Sequence, residues 1–157
     1  MKIDIEITRI ETTKTAVLEH RGPAELVNES VSKFIEWRKS TGLSPVESSK
    51  SFGIAYDDPE ATPPAKFRFD ICGEVKAIVA ENDYGVINKI MPGGRCAKHR
   101  HVGSYDQLDD KVRFLYSSWL PESGEMRRDF PVFFQYMNLG QEVPEAELIT
   151  DIYMLLD

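Results

Sequence analysis

Two carboxylates sit inside apolar strand patterns, and these are the first residues of this chain that could do chemistry. In ELITDIYMLL, Asp151 shares one face with Ile149, Tyr153 and Leu155, while Leu148, Thr150, Ile152 and Met154 share the other. A carboxylate in such a strand is costly to bury without a partner. Two explanations stand: a protein cation or donor pairs with Asp151, or the acid awaits a cationic or hydrogen-bonding ligand. In KFRFDICGEV, Asp70 shares its face with Arg68, Cys72 and Glu74, a row that offers a charge partner on a solvated surface. Aromatic residues complete the candidate site. Tyr136 and Tyr153 offer an apolar wall and a hydroxyl together, and Phe134, Tyr56, Trp119 and Trp37 could close a pocket around a lipophilic cation. Trp37 and Trp119 lie on helix faces, where core packing is the simpler account.

The histidines are the other candidates. GGRCAKHRHVGSY places His99 and His101 two residues apart, downstream of Cys96. A metal would need three or four converging ligands. His101 instead precedes a turning glycine, as His20 does before Gly22, and such a position suits a polar residue that satisfies nearby backbone groups. The stretch reads as a turn, with no metal and no cofactor. GxSxG, P-loop, HExxH and GxGxxG patterns are absent, so any catalysis would fall to an acid such as Asp151 with a tyrosine or water.

The elements that must position these residues follow from periodicity. Ile3, Ile5 and Ile7 alternate with polar residues as a first strand, and TAVLEH gives a second. Leu26, Val27, Val31, Phe34, Ile35 and Arg38 recur at helical spacing after Pro23, and Gly42 is the expected C-cap. Strands follow at SFGIAY and KFRFDICGEV, separated by the loop DDPEATPPA. The second half repeats the plan: VINKIM, a hairpin turn at Gly93-Gly94, RCAKHRHV, a helix over about residues 105–120, then PVFFQYMN and ELITDIYMLL. A shift of 81 residues carries His20 to His101, Gly22 to Gly103 and Asp70 to Asp151. The expected fold is α+β, one domain over 1–157. It comprises duplicated βαββ units (about 13–76 and 94–157) with antiparallel sheets, one main helix per half, and a ligand pocket at their junction.

A net charge of −7 opposes a nucleic-acid surface, and no apolar run reaches the length of a membrane span. The N-terminus lacks the apolar core of a secretion signal, which predicts a cytoplasmic protein. Two cysteines cannot build a disulfide framework.

FGIAYDDPEATPPAKFRFDICGEV, MPGGRCAKHRHVGSYDQL, SSWLPESGEMRRDFPVFFQYMN and TDIYMLL together resemble the GyrI-like family, which includes DNA gyrase inhibitory proteins and the effector-binding domains of AraC- and MerR-type regulators. The resemblance implies a small-molecule pocket for bulky amphipathic or cationic compounds, with acidic and aromatic residues supplied by PVFFQYMN and TDIYMLL. With no helix-turn-helix segment beside it, the chain is expected to be a stand-alone module that senses or sequesters a toxic compound. The alternatives are a gyrase inhibitor acting by protein contact and a hydrolase of cyclopropane-bearing toxins. Where the family usually carries a glutamate this chain has Phe134, and its final-strand glutamate corresponds to Asp151; the phenyl ring shifts the pocket toward apolar ligands.

Overall fold

Strands β1 (Glu6–Ile10) and β2 (Thr13–Arg21) are joined by two residues, yet they do not pair. In this computed structural model, which describes residues 3–139 and 141–157, the remaining strands are β3 (Ser51–Ala55), β4 (Arg68–Glu74), β5 (Ile87–Met91), β6 (Gly94–Val102), β7 (Phe133–Tyr136) and β8 (Ile149–Leu155). All pair antiparallel in one sheet ordered β1-β6-β8-β7-β3-β4-β2-β5. Six strand spacings separate β1 from β2, roughly 29 Å across a flat sheet. The three Cα steps from Ile10 to Thr13 reach only about 11 Å. The sheet must therefore curl until its two edges approach at that end. Pro92 and Gly93 impose the same closure between β5 and β6.

This corrects the expected hairpin at Gly93-Gly94. Each lead-in strand pairs with the other half, β1 with β6 and β5 with β2, which ties the halves together. The glycine is needed for a different reason: a Cβ on Gly93 would overlap the backbone of Ile10 and Thr12 where the two links cross.

The inner face of the curl is a core of Val17, Phe52, Ile54, Cys72, Met91, Cys96, Phe133, Tyr153 and Leu155, drawn from strands at both ends of the order. Helices cover the outer face. α1 (Val27–Thr41) seals Ala16, Leu18 and Ile71 with Phe34 and Trp37, and stops at Gly42, whose φ of 67° only glycine adopts freely. α2 (Leu108–Phe114) packs Leu108 and, two turns on, Leu115 over Ala97, Phe134, Ile152 and Met154. It continues through a π turn (Leu115–Trp119) into α3 (Leu120–Ser123). Pro121 accounts for the π turn: it has no N–H, and its ring crowds the carbonyl four residues back, so the Leu120 N–H bonds to Leu115 instead. Among the described residues no helix is long and apolar enough to cross a membrane.

His20 and His101 fasten turns, and His99 ties β6 to the segment ahead of β1. Nε2 of His20 donates to the Pro23 carbonyl at 2.8 Å and Nε2 of His101 to the Ser104 carbonyl at 2.9 Å, while His99 Nδ1 donates to the Asp4 carbonyl at 2.7 Å. Carbonyls only accept, so each of these ring nitrogens carries the proton.

Candidate functional site

Both strand carboxylates are buried, and both already have partners. Asp151 stands opposite Arg100 on β6, which bonds it with Nε at 2.8 Å and Nη2 at 3.0 Å, and Lys98 lies 3.6 Å away. Asp70 receives Arg21 at 2.9 Å, Lys89 at 2.9 Å and the Tyr56 hydroxyl at 2.9 Å. The expected solvated row with Arg68 is not what forms: Asp70 is 0% exposed, and its cations are Arg21 on the adjacent β2 and Lys89 on β5, one strand further. Arg68 turns instead to Asp57, at 3.0 Å through both Nε and Nη2. Tyr56 is enclosed by Arg21, Arg68 and Lys89, 5.5, 5.2 and 5.9 Å from its ring centre. Burial, then Asp70, pushes its pKa up.

The open space lies on the other face. A cavity of about 280 Å³ sits between α1 and the start of α2, over β4, β3 and β7. Val31 and Phe34 line it from α1, Phe69 and Ile71 from β4, Leu108 and Asp109 from α2, and Phe134 and Tyr136 from β7. Phe69 stacks on Phe134 at 6.4 Å, and Tyr105 meets Tyr136 edge-on at 5.4 Å. Gly53 lies beneath two of the lining side chains, Phe69 and Tyr136. A Cβ there would come within 2.6 Å of both Phe69 Cζ and Tyr136 Oη, so the cavity's shape depends on this missing side chain. Among the described residues nothing hydrogen-bonds the Tyr136 hydroxyl, and burial raises its pKa. The volume is at the small end of ligand sites, and the lining is apolar with a few polar groups, as such sites are.

The residues expected to form one pocket are thus divided between two faces. Phe134 and Tyr136 line the cavity. Asp151 and Tyr153 do not: β7–β8 register sets Phe134 against Ile152 and Tyr136 against Thr150, leaving Asp151 and Tyr153 on the inner face. There Tyr153 stacks on Phe133 at 5.2 Å. Trp37 is 1% exposed and stacked on Phe34 beneath α1, and Trp119 packs half-buried against the α2 core. Tyr56 belongs to the Asp70 ion cluster. Three residues in or beneath the cavity wall escape sequence reading. Gly53 looks like any strand glycine, Arg38 like part of a buried helix stripe, and Asp109 like a first-turn acid favoured by the helix dipole. Asp109 pairs with no cation among the described residues; although the residue is exposed overall, atoms crowding one side of its carboxyl raise its pKa.

A second cavity of about 380 Å³ shares Asp109 and is bounded by the DDPEATPPA loop. Arg113 clamps this loop to α2, bonding Asp58 at 2.9 and 3.0 Å and Glu60 at 3.1 Å. Hydrogen bonds from Arg113 hold the Asp58 carboxyl, and those from Arg68 the Asp57 carboxyl, below the ordinary value of 3.8. A depressed folded-state pKa gives stability that is present above the unfolded value and lost as pH falls through the folded one. Acidification below about pH 4 is therefore expected to raise amide exchange in residues 57–66 before it does so in β4. Arg113→Gln should do the same at neutral pH, and loop exchange unaffected by that substitution would refute the clamp.

A curled antiparallel sheet with two helices framing an apolar cavity defines a small-molecule-binding class of domain. The chain belongs to the GyrI-like family: the GyrI-like small molecule binding domain matches residues 3–157. It is 47% identical over 156 residues to the probable transcriptional regulator YgiV of Escherichia coli strain K12, covering 99% of this chain and 98% of that protein. It is 26% identical over 150 residues to a DNA gyrase inhibitor of Erwinia billingiae strain Eb661, covering 93% of this chain and 94% of the inhibitor. The crystal structure of the EcmrR C-terminal domain has the same fold, with a TM-score of 0.80 and 17% identity over 100% of this chain and 99% of that one.

Proposed function

We propose that this chain senses or sequesters a toxic amphipathic compound, held in the cavity between α1 and α2 in the cytoplasm. The observation that carries this reading is the apolar cavity lined by Phe69, Phe134 and Tyr136, which stays open because the missing side chain at Gly53 lets the tips of Phe69 and Tyr136 settle against β3. The 47% identity to a protein named as a probable transcriptional regulator supports a sensing role. Asp151 acts as a strand-to-strand anchor in this account rather than as a counter-charge.

A thermal-shift panel of lipophilic cations, neutral planar compounds and amphipathic acids tests it. A ligand at a hundred times its dissociation constant stabilises the folded state by about 2.7 kcal/mol, roughly 5–11 °C in a chain of this size. A panel that leaves the melting temperature flat contradicts the reading. A second reading, gyrase inhibition by protein contact, draws on the relative named as a DNA gyrase inhibitor. Gyrase supercoiling measured with and without the protein decides it.

A further inference from the structure

Arg38, in the last turn of α1, is a buried cation that forms no ion pair among the described residues, although the charge of Glu47 acts on it from farther off. It is 4% exposed and borders the cavity. Its Nε donates to the Ser44 carbonyl at 2.6 Å, Nη1 to Ser51 Oγ at 2.8 Å and Nη2 to Ser44 Oγ at 3.2 Å, all neutral acceptors. Among the described residues no carboxylate forms an ion pair with it. A guanidinium carries five N–H donors, so one on Nη1 and one on Nη2 remain unspent. The group lies flat on the sheet because β4 offers Gly73 there: a Cβ would stand 3.2 Å from Arg38 Cζ. Its other side faces the Phe34 ring at 5.6 Å.

Tying α1 to the 44–51 loop explains the three bonds that are made. It does not explain why a charge is kept where burial opposes it, at the wall of an apolar cavity. A buried charge is retained at low cost only when an opposite charge joins it. The surroundings favour an anion at this end. Ser51 begins β3, and Tyr136, with its unpaired hydroxyl, follows Gln135, the register partner of Phe52. Asp109 approaches from the other end, near Ala55 in the adjoining cavity. The four residue steps of β3 span about 13 Å, and a separation of that order weakens the repulsion between Asp109 and an anion at Arg38.

We propose that the cavity takes an amphipathic carboxylate, its acid group on the free donors of Arg38 and the Tyr136 hydroxyl, its apolar body over Gly53 against Phe69 and Phe134. This rests on the reading of the cavity as the ligand site. A carboxylate matches the guanidinium fork in shape and charge, as a neutral amide does not.

The test is calorimetric titration of phenylbutanoate, phenylbutanamide and phenylbutylamine, three compounds with one body and different head groups. Wild type should bind the acid about tenfold or more tightly than the amide. Arg38→Met should erase that gap, Arg38→Lys should keep part of it, and Tyr136→Phe should narrow it. If Arg38→Met does not fold, the wild-type series with Arg38→Lys and Tyr136→Phe decides. Equal binding of acid and amide by wild type overturns the inference and leaves the cavity reading intact. Tightest binding of the amine, lost in Asp109→Asn, overturns it in favour of Asp109 as counter-charge. Failure of all three compounds, with a flat response to the wider panel above, overturns the cavity reading and this inference together.

Discussion

Gly53→Val is expected to yield a folded protein that has lost its ligand. The position is extended strand, so valine is acceptable to the backbone and even favoured by β propensity. The added atoms cannot fit the existing packing, because the first of them alone would stand 2.6 Å from Phe69 Cζ and Tyr136 Oη. Both are the far ends of flexible side chains, and both residues line the cavity, which offers them room. Phe69 and Tyr136 should swing upward and fill it. Overpacking of this kind costs about 1–3 kcal/mol of stability. Binding should fall by about a hundredfold or more, since a roughly 2.7 kcal/mol loss of contact energy already corresponds to that factor. Calorimetric titration of any compound that stabilises wild type measures it. Affinity preserved in Gly53→Val would place the ligand elsewhere.

The largest stability effect should come from Asp70, not from the cavity. Asp70→Ala strips the counter-charge from Arg21 and Lys89 and the acceptor from Tyr56 in one step. Breaking a buried ion pair typically costs about 3–5 kcal/mol. The side chains of Arg21 and Lys89 are 39% and 30% exposed and keep Glu19 as a shared partner, so they can relax toward water. That places the expected cost at the lower end, about 3 kcal/mol, or roughly 6–12 °C in melting temperature. Ligand affinity should not change, because the cluster lies on the face opposite the cavity. A thermal melt near wild type would show that the cluster contributes little net stability.

The order of elements was legible because it rests on local alternation. β2 and β6, Thr13–Arg21 and Gly94–Val102, coincide under the shift that carries Asp70 to Asp151, and β4 and β8 do as well. We read that coincidence as the trace of a duplication. What misled was long-range. A glycine pair between two strand patterns has the local chemistry of a hairpin, and only the sheet order reveals that Gly93 links opposite edges. Within β8 the parity of Asp151 and Tyr153 could be read directly. Their placement relative to Phe134 and Tyr136 depends on the β7–β8 register, which a one-residue slip would invert. The pairing of Asp151 with Arg100 depends on register in the same way. Of the candidate residues, Phe134 and Tyr136 thus line the cavity, whereas Asp151 and Tyr153 lie on the opposite face of the sheet.

The central claim is that the ligand sits on the helix-bearing face. Methyl-group NMR shifts test it most directly, because the two faces carry separate reporters. Val31, Leu108 and Ile71 line the cavity, whereas Val17, Ile54 and Leu155 pack inside the curl beside Tyr153. Adding a binding compound should move the first three resonances strongly and leave the second three nearly still. Shifts concentrated on Val17, Ile54 and Leu155 would return the site to the face of Asp151 and contradict this account.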